Sequence, residues 1–161
     1  MTTMRTAWAV ALTVLLAACG PVEHHARVGA LEVALPWSRE VPPHAPVAAG
    51  FMSIRNRGDA DDRLVAVRST AAREVQIHEV RHEDGVARMR RLPDGLPLPA
   101  GATVALEPGG YHLMFIQPAS RFRGGDRIPA TLVFEHAGEL EVTFEVRPLT
   151  QAAPDGAHHA H

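Results

Sequence analysis

At 161 residues and a formal net charge of −2, the chain has the length of one domain and no basic surplus. It therefore lacks the electrostatic footprint of a nucleic-acid binder, and its basic residues are all arginine. One cysteine leaves no intrachain disulfide and no two-cysteine redox motif, while 46% apolar content is ample for a core.

Met1 to Arg5 is weakly positive and Ala7 to Leu16 is an apolar run too short to span a bilayer, which marks residues 1–18 as a secretory signal. Its end, Leu16-Ala-Ala-Cys19-Gly20, resembles the bacterial lipoprotein signal, in which the cysteine becomes the lipidated first residue. Lipid on Cys19 would tether the mature chain to a membrane without spanning it. A blue-copper centre, which needs a cysteine thiolate inside the domain, is excluded by the same count. Cleavage removes Arg5 and no acid, so the charge moves from −2 to −3.

Residues 19–30 read as the lipidated N-terminus and a polar linker that carries His24 and His25. Leu31 to Leu35 alternates as a strand that Pro36 should stop, and Arg39 to Pro46 should be an extended loop. Trp37 is expected at the edge of the core. From Ala48 onward, short strands recur between turns, the pattern of an all-β antiparallel sandwich or barrel. They are Ala49 to Arg55, Leu64 to Val67, Val75 to Val80, a strand around Met89, Thr103 to Leu106, Tyr111 to Ile116, and a final hairpin of Arg127 to Glu135 with Glu139 to Val146.

The aspartates of Asn56 to Asp62 do not have EF-hand spacing, so this segment reads as a turn. Asp84-Gly85 supplies positive φ cheaply and should fold the Met89 strand back beside the His78 strand. Pro93 to Gly101 is too rich in proline for a central strand. No helix and no internal repeat is evident. One β-domain therefore covers residues 31–147. Residues 148–161 read as a disordered tail whose His158, His159 and His161 could bind Cu(II) or zinc as an auxiliary site.

The chemistry concentrates between His78 and Met114. In a strand, residues two apart share a face, so His112 and Met114 project side by side. By the same period Val75 and Ile77 face one way and Gln76 and His78 the other, while Ala87 and Met89 oppose Arg88 and Arg90. Two neutral imidazoles and two neutral, polarisable thioethers suit Cu(I) far better than magnesium, calcium or manganese. Zinc sites usually draw on thiolate, carboxylate or a third histidine. Arg88, Arg90 and Arg91 form a basic strip beside this set, a solvated face or a docking surface for an acidic partner.

The segments Gln76-Ile-His-Glu-Val80, Asp84-Gly-Val-Ala-Arg-Met-Arg90, Leu98-Pro-Ala-Gly101 and Glu107-Pro-Gly-Gly-Tyr-His-Leu-Met114 resemble the periplasmic copper chaperones of the PCuAC family. Pro36-Trp-Ser-Arg39, Ala48 to Ile54 and Asp62-Arg-Leu64 resemble it too, so the likeness runs from Leu31 to Val146. Many members have a methionine close behind the first histidine, where Glu79 and Val80 stand here. The resemblance implies a single cupredoxin-like Greek-key domain with copper ligands at His78, Met89, His112 and Met114, and no catalysis. Together with the lipoprotein-type signal ending at Cys19, it implies a membrane-anchored periplasmic lipoprotein that passes Cu(I) to a copper-accepting protein. The dinuclear centre of cytochrome c oxidase, or another chaperone in that relay, would be the recipient. The competing expectation is a metal-free β-sandwich lipoprotein acting in adhesion or assembly; a copper redox enzyme ranks last, because no acid/base constellation is visible.

Overall fold

The computed structural model describes residues 25–149. They form eleven strands: β1 (His25–Val28), β2 (Leu31–Arg39), β3 (Val47–Asn56), β4 (Asp62–Arg68), β5 (Ala72–Glu83), β6 (Val86–Arg91), β7 (Leu96–Leu98), β8 (Thr103–Leu106), β9 (Tyr111–Pro118), β10 (Arg127–Phe134) and β11 (Gly138–Arg147). Following the pairings from β5 through β9, β3, β2, β11, β10 and β4 leads back to β5. The sheet is thus a barrel, closed between β4 and β5 by the single pair Val67 and Val75. Closure leaves no open edge within this ring, while β6 hangs outside it beside β5 as an edge strand. Sequence-distant strands interleave, with β9 between β5 and β3 and β2 between β3 and β11.

Alternation explains which residues turn inward. Ile128, Ala130, Leu132 and Phe134 of β10 are buried at every second position, as are Val142, Phe144 and Val146 of β11. Phe115 of β9 lies at the centre, with its ring 5.4 Å from that of Phe122 and 5.6 Å from that of Phe144, both edge-on. Each fully buried side chain of this kind contributes about 1.5–3 kcal/mol. The cluster also fixes the height of β9, and with it the residues on the strand's other face. Gly50 of β3 is needed here, since a Cβ at that position would lie 2.7 Å from Phe115 Cε2.

Two expectations about the first strands are corrected. Part of the expected linker joins the sheet, because β1 pairs along β2 and His25 Nδ1 lies 3.0 Å from the buried Glu32. Pro36 does not stop β2 either. The register to β3 shifts between Ala34 and Trp37, Leu35 takes φ 52°, and proline is tolerated at this bulge, where a ladder donor is not required. Trp37 then packs on Phe51 at 4.5 Å, beneath the Arg147 guanidinium at 4.6 Å.

The acidic turn after β3 is tied down by its own side chains. The buried Asn56 amide donates to the Ala60 and Leu98 carbonyls, and Asp61 accepts from the Ala100 N–H. Asp62 accepts from the backbone of Arg63, His136 and Ala137. Burial alone would raise the Asp62 pKa, but these three donors hold it below 3.8. The Asp62 carboxylate thereby fastens the β10–β11 turn to β4.

Candidate metal centre

Three adjacent strands, β6, β5 and β9, build the candidate site. In the β5–β9 ladder His78 stands directly opposite His112, and Gln76 opposite Met114. Paired residues in a ladder share a face, so these four side chains project together. The alternate positions Val75, Ile77, Leu113 and Phe115 belong to the core. In the β5–β6 ladder Val80 pairs with Met89 and His78 with Arg91. Met89 therefore lies on the same face as the two histidines, diagonal to His78 and within reach of a long side chain.

The hairpin that brings Met89 back is the expected one. Asp84 at φ 53° and Gly85 at φ 77° form the tight turn, and Glu83 pairs with Val86 across its mouth. Every residue of β6 is exposed, Met89 at 53%. His112 is the opposite extreme at 5%, with His78 and Met114 half-buried between them. The site thus runs from the barrel wall to an open edge.

The two imidazoles are 5.7 Å apart, centroid to centroid. With metal–nitrogen bonds of about 2.0 Å, two rings on one ion have centroids about 5–6 Å apart, so this spacing needs little change. His112 Nδ1 lies 3.1 Å from the Gly110 carbonyl and His78 Nε2 lies 2.8 Å from Gln76 Oε1. Each acceptor oxygen draws the ring proton to that nitrogen and leaves the other nitrogen with a lone pair. On His78 this is Nδ1, which is buried and has no hydrogen-bond partner. Such an atom is costly to leave alone and is what a metal would use. Burial lowers the His78 pKa below 6.5, and neighbouring His112 and Arg91 push it the same way. The ring is thereby kept neutral, the form that binds metal.

The basic strip is internally balanced. Arg91 meets Glu74 at 3.0 Å, Arg88 meets Glu83 at 3.7 Å, and Arg81 and Arg90 both donate to Glu79 at 2.9 Å. For Glu79 burial opposes ionisation, but the hydrogen bonds from Arg90 and Arg81 prevail and lower its pKa. Glu79 is turned away from the site and Val80 flanks Met89, so neither position adds a sulfur ligand. His82 is exposed near the hairpin tip. No group of three or more His, Cys, Asp or Glu among the described residues could hold a metal, which leaves the mixed imidazole and thioether face as the candidate. Sequence periodicity placed Gln76 on this face; its bond to His78, and the Arg91–Glu74 pair beside it, emerge only from the fold. Cys19, His24, His158, His159 and His161 lie outside the described residues.

These features define a class: a small, single-domain, cupredoxin-like β-barrel with a face of soft donors. The model of the LpqE-like family matches residues 31–146. A protein of Leifsonia xyli subsp. xyli, named as a lipoprotein, is 30% identical over 106 residues, or 66% of this chain and 64% of its own. The chain therefore spans just under two thirds of the length of that curated relative. A solved structure described as the copper-bound PCuAC domain from PmoF2 superposes with a TM-score of 0.66 at 30% identity, covering 78% of this chain and 98% of that one. The solution structure of CuI-DR1885 from Deinococcus radiodurans gives 0.60 at 25% identity, covering 74% and 78%. The chain belongs to the LpqE-like family, which is related to the PCuAC domains, and is a member of the PCuAC family.

Proposed function

We propose that this protein is a Cu(I) chaperone that binds one ion through His78, Met89, His112 and Met114 and passes it to a copper-accepting protein. The observation that carries the reading is the shared face itself: two facing imidazoles, one with a buried unpartnered nitrogen, and two thioethers beside them. The two solved relatives described as copper-bound support the choice of metal. Copper is cargo here, and four neutral ligands leave only its single charge in the site, which favours release over storage.

The burial gradient orders the hand-over. Met89, on an exposed edge strand, is the first ligand a recipient's donor replaces, and His112, in the barrel wall, is the last. Copper therefore stays coordinated throughout. The recipient is the dinuclear centre of cytochrome c oxidase or another carrier in that relay. Lipid on Cys19 holds the domain at a membrane facing the periplasm, and His158, His159 and His161 provide a separate imidazole site for Cu(II). No turnover belongs to this role.

X-ray absorption on the copper-loaded protein tests the reading. The expected result is one reduced copper per chain with both nitrogen and sulfur scatterers. Nitrogen and oxygen scattering alone, or no stoichiometric uptake, would overturn it.

A further inference from the structure

Among the described residues, Gln76 is a polar side chain on the site face that hydrogen-bonds a proposed ligand without being one itself. It stands opposite Met114 in the ladder, and its amide oxygen lies 2.8 Å from His78 Nε2. A carbonyl oxygen only accepts, so Nε2 must carry the proton of the neutral ring. Nδ1 is then the nitrogen with a lone pair, and it is the buried atom that has no partner. Across the ladder, the Gly110 carbonyl fixes the other tautomer on His112, with the proton on Nδ1. Neighbouring rings are thus held in opposite tautomers, one by the backbone and one by a side chain. Arg91, opposite His78 on the other flank, is engaged by Glu74 at 3.0 Å.

We propose that Gln76 is the positioning residue of the copper site, its amide oxygen locking His78 into the Nε2–H tautomer so that Nδ1 is the ligating atom. The proposal rests on the copper reading above. A neutral amide is well matched to this role, because it orients the ring as a carboxylate would without adding a charge that favours imidazolium over bound metal. Ligating histidines generally need such a partner, whose loss costs about 10–100-fold in metal affinity.

The test joins two measurements on the full chain. Long-range proton–nitrogen correlation spectra of the copper-free protein at pH 8 report which ring nitrogen of His78 is protonated. Chelator competition reports Cu(I) affinity. The wild type should show the Nε2–H tautomer. Gln76→Leu should show a mixture of tautomers and a loss of affinity of about 10–100-fold. Gln76→Glu, which keeps an acceptor oxygen but adds a charge, should restore the wild-type tautomer and an affinity between those of Gln76→Leu and the wild type. A proton on Nδ1 of wild-type His78 would overturn the proposal without any variant having to fold. So would an unchanged tautomer in Gln76→Leu, even if the wild type binds copper through nitrogen and sulfur. If the tautomer responds while Cu(I) affinity does not, the positioning role of Gln76 is overturned, while the nitrogen and sulfur scattering of the copper-loaded protein decides the copper reading separately.

Discussion

Met89→Leu separates copper binding from folding more cleanly than any other ligand substitution. Full burial of a methionine is worth about 1.5–3 kcal/mol, and leucine is an apolar replacement of similar volume. With 53% of Met89 exposed on an edge strand, the exchange should change stability by less than about 0.5 kcal/mol. It removes one of four donors, however, and a direct ligand should matter more than an outer-shell partner, whose loss costs about 10–100-fold. Cu(I) affinity should therefore fall at least about 100-fold, or about 2.8 kcal/mol, several times the change in stability. Urea denaturation of the copper-free protein and competition against a Cu(I) chelator measure the two quantities on one preparation. An unchanged midpoint with weakened binding is the expected pair. Wild-type affinity in Met89→Leu would refute the four-ligand assignment, because neither misfolding nor a lost cavity could mask the result. His112→Ala is a poorer instrument: at 5% exposure its removal opens the barrel wall as well as the site.

Acid should affect the copper-free fold through His78. Its folded pKa lies below 6.5, so the unfolded chain takes up the proton first as pH falls. The His78 contribution to stability is full above about 6.5 and declines as pH drops toward the folded value. An NMR titration of the His78 ring should give a midpoint below 6.5, and a midpoint at or above it would contradict the burial argument. Proton competition with Cu(I) at this ligand should set in over the same lowered range. Gly50→Ala tests the support beneath the site, since its Cβ would meet Phe115 Cε2 at 2.7 Å and Phe144 Cε1 at 3.3 Å. The overpacking should cost about 1–3 kcal/mol in denaturant unfolding, and an unshifted midpoint would show that Phe115 has room to move.

The local parts of this protein were legible before any coordinates. Period-two alternation separated Ile77 from His78 and Leu113 from His112, and the Asp84-Gly85 pair announced the hairpin that returns Met89. Tertiary context overrides local rules at particular residues. Proline reads as a strand stop, yet β2 absorbs Pro36 because the bulge at Leu35 relieves it of a ladder hydrogen bond. His25 reads as linker, yet the buried carboxylate of Glu32 on the neighbouring strand draws it onto the sheet. The arginines around Met89 read as one basic strip, whereas each finds a glutamate contributed by β5.

What the amino-acid order determined alone is the choice of donors and the face each one occupies, because side-chain chemistry and the two-residue pleat are properties of single strands. Only the tertiary structure decided that β9 pairs with β5 in the register that sets His78 opposite His112, and that one ring nitrogen there is buried without a partner. Register between distant strands is set by how the whole core packs, here around Phe115, and no local pattern in either strand contains that information.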